Sequence, residues 1–113
     1  MNNAHATFAK TFDSFACFGD TIETEGNGFR FVATINPDDY SRPDDYECYD
    51  DEQMRGWNND EWSLCGIVIS VFRGDVKVLE HAASLWGIEL NLTCDSNDYL
   101  TEVANELLRS LRR

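Results

Sequence analysis

Trp62-Ser63-Leu64-Cys65-Gly66-Ile67-Val68-Ile69-Ser70-Val71-Phe72 is the most hydrophobic run of the chain and the one whose reading decides the fold. It is rich in β-branched residues and apolar at odd and even positions alike, as a central strand with both faces covered must be. Arg73-Gly74-Asp75 then turns the chain into Val76-Lys77-Val78-Leu79, a second hairpin. After His81-Ala82-Ala83, the alternation of Trp86, Ile88, Leu90 and Leu92 reads as a further strand.

Upstream, Asp20 to Ile35 reads as a first hairpin. Gly26-Asn27-Gly28 supplies the positive-φ positions of a tight turn, and Phe29, Phe31, Ala33 and Ile35 alternate with Arg30, Val32 and Thr34 on the return strand. At the far end Tyr99, Leu100, Val103, Ala104, Leu107, Leu108 and Leu111 recur at helical period, which predicts a helix from Asn97 to Leu111. Ser96 or Asn97 would cap it, Asp98 and Glu102 lie near its positive end, and Arg109, Arg112 and Arg113 near its negative end. Phe8, Phe12 and Phe15, with Ala9 and Ala16, suggest a short helix between Ala4 and Phe18, with Gly19 as its stop. These elements predict an α+β fold: an antiparallel sheet of about four to five strands, with a C-terminal helix and a short N-terminal one packed on one face. With 113 residues, the expectation is a single domain spanning 1–113.

Between the two hairpins lies the acidic stretch from Asn36 to Trp62, NPDDYSRPDDYECYDDEQMRGWNNDEW. Asp38, Asp39, Asp44, Asp45, Glu47, Asp50, Asp51, Glu52, Asp60 and Glu61 face only Arg42 and Arg55, a net −8 of the chain's −12. Tyr40, Tyr46, Tyr49, Trp57 and Trp62 are interspersed, and Pro-Asp-Asp-Tyr occurs twice, at 37–40 and 43–46. Each proline holds its predecessor extended and each Asp pair favours a turn, so a loop is expected, with one short helix over Asp51–Trp57 closed by Gly56.

No metal is expected here. An EF-hand loop begun at Asp38 has Pro43 where glycine is required, and one begun at Asp44 has Tyr49. Cys17, Cys48, Cys65 and Cys94 form no CxxC pair and lie apart from His5 and His81. They read as reduced, mostly buried thiols of a cytoplasmic protein. The N-terminus lacks the charged-then-apolar profile of a secretory signal. No run of about 18 apolar residues predicts a membrane span. Carboxylate pairs follow here from composition alone, Ser84 has no nucleophile-elbow context, and Gly26-Asn27-Gly28 precedes no helix that could bind phosphate. The expectation is therefore no catalytic residue, no cofactor and no enzyme.

A surface this acidic repels nucleic acid and anionic membranes and attracts basic proteins. Carboxylates along a folded-back loop approach the charge density of duplex DNA, one charge per about 1.7 Å of axis, and the Tyr and Trp rings suit an interface. The expected partner-binding residues are Asp38, Asp39, Tyr40, Asp44, Asp45, Tyr46, Glu47, Tyr49, Asp50, Asp51, Glu52, Asp60 and Glu61. Their expected partner is a basic groove made for nucleic acid. The plainer alternative is a solubilising loop on an accessory protein that forms a homodimer through its aromatic surface.

At RPDDYECY (Arg42–Tyr49), WNNDEW (Trp57–Trp62), HAASLWGIEL (His81–Leu90) and YLTEVANELL (Tyr99–Leu108) the chain resembles a family of small acidic proteins. That family is encoded by phages, plasmids and other bacterial mobile elements. The resemblance spans roughly Gly19 to Leu108 and leaves out the Phe-rich N-terminal segment. It carries no assigned reaction. What it implies is context: mobile elements encode many small acidic proteins that block host defences in the bacterial cytoplasm, among them anti-CRISPR and anti-restriction proteins, some acting as DNA mimics. It points to an inhibitor seated in the basic groove of a host protein or ribonucleoprotein complex.

Overall fold

Alternation, turns and one helical stripe produce a four-stranded antiparallel meander backed by a helix. The computed structural model describes residues 7–93 and 96–111, with nothing said of the Ser96 side chain. The strands are β1 (Thr21–Gly26), β2 (Phe29–Pro37), β3 (Ser63–Arg73) and β4 (Val76–Leu90), in the order β1-β2-β3-β4. Asn27 and Gly28 form the first hairpin turn with φ of 55° and 83°, the left-handed pair that a two-residue hairpin demands. The apolar run from Leu64 is the inner strand β3, paired on both sides, with Leu64 to Val71 all buried.

The predicted C-terminal helix forms as α2 (Ser96–Ser110) and packs on β3 and β4. Leu100, Val103, Ala104 and Leu108 meet Phe31, Ala33 and Ile35 of β2 and Cys65, Ile67 and Ile69 of β3 in one buried cluster. Burying such side chains is worth roughly 1.5–3 kcal/mol each. Leu107 is only partly buried at the margin of this cluster and Tyr99 is exposed, so the apolar stripe is narrower than its sequence suggests. Asn97 does not cap the helix from outside. It lies buried in the first turn, donating to the carbonyls of Asp13 and Ser14 at 2.9 and 3.2 Å and accepting from the Asn91 N–H at 2.9 Å.

No N-terminal helix forms over the described part of 4–18. The segment runs irregularly along α2, hooked by side chains: Phe8 N–H donates to Asn105 Oδ1 (2.8 Å), Phe12 N–H to Thr101 Oγ1 (3.0 Å) and Ala16 N–H to Asn91 Oδ1 (3.0 Å). Phe8, Phe12 and Ala16 are buried, but Phe15 is 69% exposed, so the Phe stripe does not share one face.

The expected further strand at Trp86–Leu92 is also corrected. β4 is continuous through His81-Ala82-Ala83 to Leu90, and three irregularities in its pairing with β3 shift the alternation that would have revealed a single strand. The thiols are not mostly buried as expected: Cys65 is buried, but Cys17 and Cys48 are exposed, and all three are free. His5, Cys94, Arg112 and Arg113 lie outside the described residues. Among the described residues no helix is long and apolar enough to cross a membrane.

Candidate functional site

The acidic stretch bridges the end of β2 and the start of β3, and it is more ordered than a loop. Pro43–Asp45 forms a 3₁₀ turn and Asp51–Asn58 forms helix α1. Gly56 does not close α1. It lies inside the helix, buried against the Trp62 ring, where a Cβ would stand 3.2 Å from Trp62 Cδ1, and Asn59 is the C-cap.

Aromatic packing seats this arm on the sheet. Trp62 is buried, donates its indole N–H to the Gln53 carbonyl at 2.8 Å, and touches Tyr49 and Trp57 at ring-centroid distances of 5.1 and 5.3 Å. Tyr46 adds an edge contact to Tyr49 at 6.4 Å. The Tyr49 hydroxyl donates to Glu89 Oε2 on β4 at 2.7 Å. Burial first, and then that carboxylate, raise the Tyr49 pKa well above the ordinary phenol value, so the ring remains a neutral donor.

The sequence could not separate the carboxylates that build the arm from those that face outward. Asp38, expected at the interface, is buried. Its Oδ1 accepts the N–H groups of Tyr40 and Ser41, both at 3.0 Å, and its Oδ2 accepts the Gly87 N–H at 2.8 Å. Burial alone would raise this carboxyl, but the Ser41, Tyr40 and Gly87 donors outweigh it and hold the pKa below the ordinary value. Asp38 is thus a clamp, and this corrects its assignment as a contact residue. Asp50 is the N-cap of α1, accepting the Gln53 N–H at 2.8 Å while Gln53 Oε1 accepts the Asp50 N–H at 2.9 Å. Asp45 accepts the Arg42 N–H at 3.2 Å. Tyr49 is half-buried and committed to Glu89, so it too supports the arm.

Asp39, Asp44, Glu47, Asp51, Glu52, Asp60 and Glu61 remain exposed, with Tyr40 at 94% exposure and Tyr46 less so. Asp51 and Glu52 lie in the first turn of α1, where the helix dipole favours them. The one ion pair within the arm among the described residues joins Arg42 to Asp44 at 3.8 Å, both well exposed. Pairs of that kind are worth at most about 1 kcal/mol. The backbone that carries the outward carboxylates is therefore ordered, and of these side chains Asp44 alone has a cation beside it among the described residues.

Two anchors on β4 were missed in the sequence. Gly87, with φ of +73°, sits where the strand pairing slips and frees its N–H for Asp38. Trp86 lies over Gly66 of β3 so closely that a Cβ there would clash with the ring at Cε3, Cδ2 and Cζ3. A glycine within a strand signals a bulge or a close approach, and Gly66 and Gly87 carried that signal.

No group of three or more His, Cys, Asp or Glu among the described residues is arranged to hold a metal ion. His81 Nε2 and Ser84 Oγ lie 2.8 Å apart on the exposed part of β4. Among the described residues that imidazole makes no hydrogen bond to a carboxylate that would orient it, and the pair lacks the third member that makes a hydroxyl nucleophilic. The class defined by fold and site is thus an α+β meander carrying a braced, uncompensated acidic arm. No family model matches the chain, and neither a curated protein nor a solved structure shows significant similarity to it.

Proposed function

We propose that the protein is a non-enzymatic acidic binder whose arm occupies a basic, nucleic-acid-binding groove of a host protein or ribonucleoprotein complex in the bacterial cytoplasm. In this reading it inhibits a host defence, in the manner of anti-CRISPR or anti-restriction proteins, and belongs to the mobile-element family that its motifs resemble. The observation that carries the proposal is the division of labour in the arm. Asp38, Asp45 and Asp50 are spent on backbone donors, so Asp39, Asp44, Glu47, Asp51, Glu52, Asp60 and Glu61 are presented on a preordered surface. A phosphate mimic needs a preordered surface with excess negative charge, because preorganisation removes the ordering cost that a flexible acidic tail incurs on binding. Tyr40 and Tyr46 stand on the same arm as rings available to an interface.

The alternative, a homodimer through the aromatic surface, is less well supported, since Tyr49, Trp57 and Trp62 are largely engaged within the chain. The test is competition. The tagged protein bound to a host nucleic-acid-binding complex should be displaced by that complex's own DNA or RNA. Simultaneous binding of protein and nucleic acid would contradict the mimicry.

A further inference from the structure

β1 forms one margin of the sheet and pairs only with β2. The start of that ladder decides which of its backbone groups stay free. The Gly19 N–H donates to the Ile35 carbonyl at 2.7 Å and the Ile35 N–H to the Asp20 carbonyl at 3.0 Å, with Gly19 at φ of +94°. This is a glycine bulge, and it turns the Asp20 carbonyl toward β2. Hydrogen-bonded and non-hydrogen-bonded pairs then alternate, so Ile22, Thr24 and Gly26 bond to β2. Thr21, Glu23 and Glu25 point their N–H and C=O groups away from the sheet. The turn at Asn27-Gly28 has the same parity, because a two-residue hairpin closes on a hydrogen-bonded pair, here Gly26 and Phe29. Thr21, Glu23 and Glu25 are exposed, and among the described residues no hydrogen bond reaches their outward backbone groups.

The two margins of the sheet differ. The ladder of β4 is broken by three irregularities, whereas β1 pairs without one and holds neither lysine nor proline, the common guards of an edge. What β1 carries is negative charge. Glu23 and Glu25 lie on the sheet face opposite α2, since their partners Val32 and Arg30 alternate with the core residues Phe31 and Ala33. The Arg30 guanidinium beside them is 3.3 Å from Glu23 and is also stacked 4.3 Å from the Phe72 centroid. Lys10, Asp13 and Asp20 surround the start of the strand, and Arg73 and Asp75 flank Gly74 of the turn beside its end. Together these are five acids against three bases, a net −2. On the core side, an open pocket of about 190 Å³ between Phe12 and Ile22 adjoins the edge.

We propose that β1 is a docking edge that takes an extended basic segment of another protein as a fifth strand, with Lys or Arg at every second position. The outward backbone groups of Thr21, Glu23 and Glu25 supply the binding, and the alternation supplies the selection. Residues directly opposite one another across a ladder share a face, so the basic side chains meet Glu23 and Glu25. The residue opposite Ile22 faces the pocket beside Phe12. A second copy of this chain does not fit the edge. The antiparallel registers that overlap most of two β1 strands set Glu23 against Glu23 or against Glu25, and like charges directly opposite are destabilising. The −12 on each chain adds to that repulsion. The inference goes beyond the function proposed above and stands without it, since the acidic arm takes no part.

The test is amide NMR of the full chain, titrated with an end-blocked peptide of alternating lysine and threonine. A second peptide is N-methylated at its lysines, which keeps the charge and removes the donors that would face β1. The largest shifts are expected at Thr21, Glu23 and Glu25, with slowed hydrogen exchange of those amides. N-methylation of the peptide, and Glu23→Gln with Glu25→Gln in the protein, should each weaken binding at least about tenfold. Asp44→Asn with Asp45→Asn, on the arm, should leave it in place. Glu23→Pro removes an outward N–H without touching the ladder to β2, and should abolish the shifts at Thr21 and Glu25. Should that variant also alter the melting curve, the N-methylated peptide decides. No binding, equal binding of the two peptides, largest shifts between Asn36 and Trp62, or loss of binding in the arm variant would each overturn the proposal.

Discussion

Asp38 Oδ2 accepts the Gly87 N–H at 2.8 Å, joining the first acid of the arm to the bulge of β4 across 49 residues of sequence. Asp39, its neighbour, is exposed. Two adjacent, chemically identical side chains thus have opposite roles, and the contrast yields the first prediction. Asp38→Asn replaces an acceptor of three backbone N–H groups with an amide that presents a donor to one of them. Hydrogen bonds to a charged group are worth about 1.5–3 kcal/mol, so a loss of that order is expected in urea melts. Asp39→Asn should stay within about 0.5 kcal/mol of wild type.

The second prediction follows from the sign of the Asp38 shift. Its folded pKa lies below the unfolded one, so its contribution is complete above about pH 4 and is lost as pH falls through the lowered folded value. Relief of repulsion among the other acids acts in the opposite direction. The informative quantity is therefore the stability difference between wild type and Asp38→Asn, which should be constant near neutrality and shrink on acidification below about pH 4. A difference that persists unchanged at pH 2 would remove the ionised clamp from the account.

At alkaline pH the sign reverses. Burial, and secondarily the negative charge of Asp38, push the Cys65 thiol up to about 12. A group whose folded pKa is raised contributes stability that is complete below its unfolded pKa and is lost as pH rises. Stability should therefore fall by about 1.4 kcal/mol per pH unit above the ordinary thiol value of about 8.5. Tyr49, also raised by burial and then by Glu89, should steepen the decline above about pH 10. Guanidinium melts of Cys65→Ala against wild type should show the first slope removed, and Tyr49→Phe the second.

Core packing gives the fourth prediction. Leu108 is fully buried in the cluster beneath the sheet, whereas Leu107 is only partly so. Leu108→Ala should cost about 2–5 kcal/mol, enough to threaten a marginally stable domain, and Leu107→Ala distinctly less. Equal losses in thermal melts of the two variants would mean that α2 is rotated from the orientation described.

Where local pattern and tertiary structure agree, the sequence was readable. Asn27-Gly28, the apolar run of β3 and the stripe of Leu100, Val103 and Leu108 each identified its element, because turn chemistry and periodicity are set within a few residues. The N-terminal segment misled for a physical reason. Phe8, Phe12 and Ala16 have helical spacing, yet that spacing comes from an irregular segment whose N–H groups meet Asn105, Thr101 and Asn91, at least 75 residues away. β4 looked like two strands because its irregular pairing restarts the alternation. The charge of the arm was plain. Which carboxylates cap, clamp or face solvent was not, because that depends on donors such as Gly87 N–H that only the folded sheet supplies.

The most direct test of the central claim uses the arm variant Asp44→Asn with Asp45→Asn, binding to the isolated host nucleic-acid-binding complex at low and high salt. Asp45 contributes one N–H contact to the 3₁₀ turn, so its melting curve is recorded in parallel and Glu47→Gln with Glu52→Gln serves as the second variant. Mimicry predicts that each pair loses affinity at low salt, that the difference from wild type shrinks at high salt as the attraction is screened, and that melting temperatures stay near the wild-type value. Affinity unchanged in both pairs at low salt would contradict the account and leave the arm as a solubilising surface.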